Sequence, residues 1–305
     1  MPKPNRKQKP GVTIVGAGRL GSALAIALSR RSYAIQAMVG RRLSNTKRAA
    51  AFLDVPVHVL ATKELGKLEV SDLIIVSTPD DQIASVVESL SGLQRTTTVL
   101  HTSGALSSGV LAPLAKRGWN TGSIHPLVSV SDPLIGAARF EGAFWCVEGS
   151  PKAMQIGRRL VRDLEGRSFS ISDKAKPLYH AAAVMASGNV VALFDVAIDM
   201  LSQCGLTRAE SKRVLLPLLE TTLSNLTKHT PAEALTGTMA RGDIATVRRH
   251  LSSLKGKRLE EARALYCLLG NKALQLAVEN GLDRKVADLI RRELKDSRKE
   301  GSALV

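Results

Sequence analysis

A short apolar stretch followed by a glycine-rich turn constrains the fold of this chain more than any other feature. Residues 12–15 have the pattern of a buried strand, and the next six spell G-x-G-x-x-G before an apolar helix pattern. This order predicts the strand, phosphate loop and helix of a dinucleotide-binding βαβ unit. The alternative interpretation is a tight turn between strand and helix that binds no nucleotide. The loop residues predicted to bind the cofactor are Gly16, Ala17, Gly18, Arg19, Leu20 and Gly21.

The end of the next predicted strand, Ile35 to Val39, indicates which dinucleotide is bound. NAD-binding units carry an acidic residue about 20 residues beyond the glycines, whereas a basic residue there accommodates the 2′-phosphate of NADP. This chain has Arg41 and Arg42 at that place and no Asp or Glu. The sequence therefore predicts NADP as the cofactor. A solvated basic loop is the alternative interpretation.

Strand and helix patterns alternate as far as residue 171, and only helix patterns follow. The alternation predicts an α/β fold with a doubly wound, mostly parallel sheet, followed by an all-helical second domain. We expect a disordered basic leader over residues 1–10, a nucleotide-binding domain over 11–171 and a helical domain over 172–298. The apolar run from Ala181 to Leu193 is too short and too polar to span a bilayer. It is predicted to belong to one buried helix from about Lys174 to Cys204.

Polar residues follow three of the predicted strands. In parallel sheets, ligands bind beyond the carboxyl ends of the strands. We therefore expect Thr78 and Ser103 to contact the cofactor and His125 to contact the substrate. Helix capping by the two hydroxyls and turn chemistry at the histidine are the alternatives.

The net charge of +16, from 43 Lys and Arg against 27 Asp and Glu, is the unusual part of the composition. Such a charge suits nucleic acid, an anionic membrane surface or anionic small ligands. Much of it lies near the chain ends and only 3% of the residues are aromatic, so we expect no nucleic-acid partner. Three widely spaced cysteines without a C-x-x-C pair predict neither disulfides nor a metal site. Together with the absence of a signal-peptide pattern, they predict a cytoplasmic protein without a membrane partner.

Further motifs carry a resemblance to a known family. Besides the glycine loop, they are His101 to Gly104, His125 to Leu127, Lys176 to Val184 and Leu235 to Asp243. Through them the chain from Gly11 to about Leu276 resembles bacterial Rossmann-like proteins with a C-terminal helical domain of unknown function. That family is similar to the 6-phosphogluconate dehydrogenase and ketopantoate reductase superfamily, and its members are usually named as candidate NADP oxidoreductases.

The resemblance implies an NADP-dependent oxidoreductase. Such an enzyme would transfer a hydride between nicotinamide and a small, anionic carbonyl or imine substrate in a cleft between the domains. It also implies a homodimer, as is common in the superfamily. A dinucleotide-sensing module that binds without turnover is the alternative function.

Related dehydrogenases carry a lysine on the first helix after the sheet, followed four residues later by an asparagine, and the lysine handles the proton. Lys176 and His180 have this spacing, which places both on one helix face, although histidine replaces the asparagine. The resemblance thus implies catalytic roles for both. Ser187, near the same face, and Arg241, as an anion clamp, are predicted to bind substrate. The alternative roles are structural. Lys176 would then start a helix, His180 would be hydrogen-bonded in a crevice between domains, and Arg241 would stabilise its own loop.

Overall fold

The computed structural model describes residues 9–69, 71–93 and 97–302, with side chains described as far as residue 297. Most of the predicted leader, residues 1–8, lies outside the described residues. Lys9, which the prediction also places in the leader, donates from Nζ to the Arg31 carbonyl at 2.6 Å and pairs with Asp163 at 3.3 Å. The chain divides into two compact units, Met1–Ser187 and Gly188–Val305.

The first unit is built on an eight-stranded sheet in the order β3-β2-β1-β4-β5-β6-β7-β8. Every neighbouring pair is parallel except β6 and β7. The predicted doubly wound, mostly parallel sheet is confirmed. The strands are β1 (Val12–Val15), β2 (Ile35–Gly40), β3 (His58–Ala61), β4 (Leu73–Val76), β5 (Thr98–His101), β6 (Asn120–Pro126), β7 (Phe144–Gly149) and β8 (Arg167–Phe169).

Helices cover both faces of this sheet. On one face Ile14 and Ile75 pack in a core with Leu24 of the first helix, and on the other Val15 and Ile74 lie in a second core. Because both faces are buried, the strands are apolar at successive positions rather than at alternate ones. The helices of this unit are α1 (Arg19–Arg30), α2 (Leu43–Ala50), α3 (Asp80–Ser91), α4 (Ala112–Ala115), α5 (Pro133–Ala138), α6 (Pro151–Asp163) and α7 (Lys176–Ala186).

The second unit is all-helical in the described residues, as predicted. A core of apolar side chains joins its last three helices, with Val247, Leu274 and Ile290 fully buried. Its second helix starts at a capping box, in which Thr207 and Glu210 bond each other's backbone N–H groups. The helices are α8 (Gly188–Ser202), α9 (Arg208–Leu226), α10 (Pro231–Ala234), α11 (Ile244–Ser253), α12 (Glu260–Glu279) and α13 (Arg284–Ser302).

The predicted single buried helix from Lys174 to Cys204 is wrong in two respects. The chain leaves helical geometry at Ser187, with φ −128° and ψ −78°, and this break separates α7 from α8. The hydroxyl of Ser187 donates to the Ala183 carbonyl at 2.8 Å, a bond that often bends helices. Moreover, α7 buries only Lys176 and α8 only Ile198, so the apolar composition reflects an uncovered surface rather than a core.

The same region bears on the membrane and domain predictions. Within the described residues, one helical segment, Asp173–Ser202, is long and apolar enough to cross a bilayer by length and composition, a test that core helices of soluble proteins also pass.

The predicted domain boundary, between residues 171 and 172, precedes the division of the structure. The reason is that α7 is tied to the first unit through Lys176, whose Nζ bonds residues of the sheet edge.

Candidate active site

The glycine loop after β1 forms a cradle that side chains would fill. Gly16 has φ +106°, and an added Cβ would lie 2.5 Å from the carbonyl carbon of Ser77. At Gly21 an added Cβ would lie 2.0 Å from the Gly16 oxygen, so α1 packs directly against the loop. Gly18, in contrast, has no atom within 4 Å of such a Cβ and caps α1 without a side-chain hydrogen bond. The helix N-terminus therefore faces open space with free N–H groups, which suits a phosphate.

A cavity of about 400 Å³ lies at this cradle. Gly16, Ala17 and Gly18 line it together with Arg41, Arg42 and Thr78, six of the residues predicted to bind the cofactor, and its lining contains no acidic residue. Their contact with a cofactor stays a prediction. The Thr78 Oγ1 atom is buried and has no hydrogen-bond partner among the described residues. A buried hydroxyl without a partner is unfavourable unless a ligand supplies one. The cavity therefore fits an anionic ligand with acceptor atoms.

Four other predicted cofactor residues have different surroundings. Three of them do not line the cavity: Arg19, Leu20 and Gly21. Arg19 is exposed at the start of α1, and Leu20 packs against the core. The Ser103 hydroxyl donates to Asp80 at 2.9 Å and accepts from the N–H groups of the next loop residues. The hydroxyl thus stabilises the turn after β5 and caps no described helix, and its contact with a cofactor stays a prediction.

Lys176, the predicted proton-handling residue, is fully buried at the start of α7. Its Nζ donates to the Ser103 carbonyl at 3.0 Å and to the Ser123 Oγ at 2.7 Å. Desolvation lowers the pKa of this ammonium, while the charges of Cys146 and Glu148 act in the opposite direction. Since one bond goes to the loop after β5 and the other to the middle of β6, the lysine anchors α7 to the sheet. Its catalytic role stays a prediction.

A second cavity of the first unit, about 630 Å³, contains three of the other predicted residues. His125, His180 and Ser187 line it, and so does Tyr179. The His125 Nδ1 lies 2.7 Å from the Tyr179 hydroxyl, and the two histidine rings meet edge to face with centroids 5.6 Å apart. The arrangement requires a glycine at position 104, since a Cβ there would lie 2.4 Å from the His180 Cδ2.

Burial determines the protonation of this cluster. Desolvation lowers the pKa of His125 to about 4, with smaller contributions from the charges of Lys176 and His180. Desolvation also raises the pKa of Tyr179 above its ordinary value. Near neutral pH the imidazole of His125 is therefore uncharged and the phenol is protonated. Behind them, the fully buried His101 has its pKa lowered to about 3, again chiefly by desolvation.

Some residues of these cavities were missed by sequence reasoning. Tyr179 lies in the motif from Lys176 to Val184, but the sequence analysis assigned a role only to its neighbour His180. The cradle cavity also includes Asn45, Thr62 and Gln82. Polar residues after β2, β3 and β4 were the signal for these three, because those strands end at the same edge. The last predicted residue, Arg241, is exposed in the second unit, in the loop before α11.

Comparisons with known families and structures agree with this architecture. The family described as Domain of unknown function (DUF2520) matches residues 143–301, and the Rossmann-like domain matches residues 3–126. No curated protein matches the sequence.

Solved structures share the fold at low sequence identity. BF3122 from Bacteroides fragilis, named as a candidate NADP oxidoreductase, is 21% identical with a TM-score of 0.72, over 88% of this chain and 99% of that one. TM1727 from Thermotoga maritima is 23% identical with a TM-score of 0.67, over the same 88% and 99%. The reductive aminase from Aspergillus terreus, in complex with NADPH and ethyl levulinate, is 16% identical with a TM-score of 0.55, over 96% and 95%.

Proposed function

The chain belongs to the family described as Domain of unknown function (DUF2520), and we propose that it is an NADP-dependent oxidoreductase of small carbonyl or imine compounds. The cradle after β1 carries this proposal. A positive-φ glycine, an open helix N-terminus, a buried hydroxyl without a partner and two arginines line one cavity. The names of BF3122 and of the reductive aminase complex support the choice of NADP.

Arg41 and Arg42 are the residues of this chain that would select NADP over NAD. Both are exposed at the end of β2, at the rim of the cavity. Guanidinium groups form charge-assisted hydrogen bonds with phosphate oxygens, and these are stronger than bonds between neutral groups. The main-chain N–H groups at the start of α1 would hold the diphosphate.

The second cavity supplies groups for the chemical step. When bound, NADPH supplies a hydride, and negative charge then develops on the carbonyl oxygen or imine nitrogen. His125 and Ser187 contact the substrate in this proposal, and His180, which lines the same cavity, handles the proton. The charge of the buried Lys176 stabilises the developing anion from behind the cavity wall. The anionic character of the substrate and the anion-binding role of Arg241 stay predictions.

The test is a fluorescence titration of the protein with NADPH and with NADH. Replacing both arginines, Arg41→Ala and Arg42→Ala, should weaken NADPH binding about tenfold or more, because each charge-assisted bond contributes about 1.5–3 kcal/mol. NADH binding should hardly change. Lys47→Ala removes a charge from α2, outside the cavity lining, and is the matched control. Equal affinity for both dinucleotides, in the wild type and in the double variant, would contradict the proposal.

The buried state of Lys176 gives some support to the second candidate, a sensing module. A lysine with its Nζ bonded to protein atoms is poorly placed to meet a substrate. The two functions differ in turnover. A panel of small ketones, aldehydes and cyclic imines, followed by NADPH absorbance, should give consumption with at least one compound if the protein is an enzyme and with none if it is a sensor.

We further propose that the second unit forms a homodimer through α8 and α9. Large apolar side chains are exposed there, including Val191 at 70%, Leu218 at 64% and Val214 at 56%. Val214 and Leu218 are four residues apart and lie on the same face of α9. Exposed apolar surface of this kind marks an interaction site. Arg208 forms ion pairs with Asp195 and Asp199 across the same two helices. Such charges favour a protein partner over a lipid surface, and two-fold dimers are the commonest oligomers.

Sedimentation equilibrium tests the dimer. The wild type should sediment at twice the mass of the chain, and Leu218→Glu should shift it to the monomer. Lys212→Glu, an exposed change on the same helix, should leave the dimer in place. A wild-type monomer that binds phosphatidylcholine vesicles would contradict the dimer and indicate a membrane surface instead.

A further inference from the structure

The Tyr179 hydroxyl and His125 form a hydrogen bond that the proposed function leaves unexplained. His125 ends β6, which runs parallel to β5, so its ring lies at the sheet edge where β1 and β4 also end. Tyr179 lies on α7, and its ring also packs edge to face against Phe169, with centroids 5.9 Å apart. The bond therefore joins the strand end to the helix in the wall of the second cavity.

The direction of this bond follows from the partners that each group has. Burial keeps the phenol protonated and the imidazole neutral near neutral pH. A neutral imidazole has one donor nitrogen and one acceptor nitrogen. Among the described residues, the His125 Nδ1 is the only hydrogen-bond partner recorded for the Tyr179 hydroxyl. A hydroxyl that donates to Nδ1 satisfies both groups, and the proton of His125 is then on Nε2.

The Nε2 atom lies at the cavity wall beside Gly104. An added Cβ at that glycine would be 2.8 Å from Nε2, so the missing side chain keeps space open next to this nitrogen. No hydrogen bond of Nε2 is recorded within the described part of the chain. The neighbouring His180 ring meets the His125 ring edge to face, and the Lys176 Nζ donates to Ser103 and Ser123 rather than accepting. The N–H is therefore available to an acceptor atom in the cavity.

We propose that Tyr179 is a positioning residue that holds His125 in its Nε2–H tautomer, so that this N–H binds the carbonyl oxygen or imine nitrogen of the substrate. The inference rests on the proposed function for the identity of the ligand atom. A donor directed at the atom on which negative charge develops polarises that group and stabilises the charge. The lining of the cavity contributed by the first unit has no Lys, Arg, Asp or Glu, so the end of the substrate that enters it is uncharged.

The tautomer can be measured without cofactor or substrate. Long-range ¹H–¹⁵N spectra of protein labelled with ring-¹⁵N histidine separate protonated from unprotonated ring nitrogens, and His125→Asn assigns the signals. The wild type at pH 7 should show an unprotonated Nδ1 and a protonated Nε2. Tyr179→Phe should move the Nδ1 signal towards the protonated position, because both tautomers become populated. Phe169→Leu, which removes the ring contact but keeps the hydroxyl, should leave both signals in place.

A small uncharged acceptor tests whether the N–H is open to the cavity. Dimethyl sulfoxide should shift the Nε2 proton of the wild type, whereas cyclopentane, which has no acceptor atom, should not. A protonated Nδ1 in the wild type, unchanged signals in Tyr179→Phe or an Nε2 proton that does not respond to dimethyl sulfoxide would each overturn the inference. Because no dinucleotide is present, failure of NADPH binding would affect only the proposed function.

Discussion

The glycine cradle and the histidine cavity are two halves of one proposed site, but they are built in opposite ways. The cradle is built on the loop after β1 and depends on the absence of a side chain at Gly16, where a Cβ would meet the Ser77 backbone. The histidine cavity brings together His125 and Tyr179, which are 54 residues apart, and depends on how these side chains are buried. Local backbone geometry therefore determines the phosphate end of the site, and long-range packing determines the reactive end.

The largest expected effect breaks the cradle. Gly16→Val places a branched side chain at φ +106°, against the Ser77 backbone, and should lower the free energy of unfolding by about 4 kcal/mol through strain and overpacking. Urea denaturation followed by circular dichroism measures this loss. Gly18→Ala is the control, because its Cβ meets no atom: it should cost at most about 1 kcal/mol of stability while weakening NADPH binding. Equal stability of the wild type and Gly16→Val would show that the loop does not need this backbone.

The next effect tests the anchor of the histidine cavity. Lys176→Met leaves the Ser103 carbonyl and the Ser123 hydroxyl without their buried donor, and we expect a loss of about 3 kcal/mol in unfolding free energy. Lys174→Met, on the exposed preceding turn, should change stability by less than about 0.5 kcal/mol. Similar melting of the two variants would remove the anchoring role.

The third effect is the contribution of the buried histidines to the pH dependence of stability. The native pKa values of His101 and His125, about 3 and about 4, lie below the ordinary value of about 6.5. Below pH 6.5 the unfolded chain therefore binds more protons than the native protein, and stability falls as the pH decreases. Each histidine contributes about 1 kcal/mol per pH unit between pH 6 and pH 4.5.

Urea denaturation at a series of pH values measures this slope. His125→Asn should reduce it by about 1 kcal/mol per pH unit, because the unfolded chain binds slightly less than one additional proton at this residue. A variant with the slope of the wild type would mean that His125 titrates alike in the native and unfolded states. The cavity would then be more hydrated than its burial indicates.

The parts of the site that could be predicted from sequence are those with local causes. The glycine spacing after β1 and the arginines after β2 define backbone turns and charges within a few residues, and Arg41 and Arg42 line the cavity at the cradle. The alternating order of strands and helices correctly predicted a mostly parallel sheet, because each element has a local hydrophobic pattern. The break at Ser187 was not predictable, since an apolar run continues on both sides and only a serine bond to the preceding turn interrupts it.

Composition also misled where burial decides the outcome. The apolar sequence of α7 and α8 predicts a buried helix, yet most of its side chains are exposed in the chain by itself. Lys176 shows the reverse, because a lysine is expected at the surface but is fully buried. The apolar content of a helix predicts that its surface is covered in the assembled protein. It does not predict whether the covering residues come from the same chain or from another one.

The sequence by itself determined the alternating sheet, the glycine cradle and the basic pair that follows β2, because hydrophobic period, glycine conformation and charge act over short distances along the chain. Only the tertiary structure decided that Lys176 bonds Ser103 and Ser123 and that Tyr179, to which the sequence analysis assigned no role, bonds His125. Those contacts join residues more than fifty positions apart, and the desolvation that sets their protonation exists only once the helix has packed against the sheet edge.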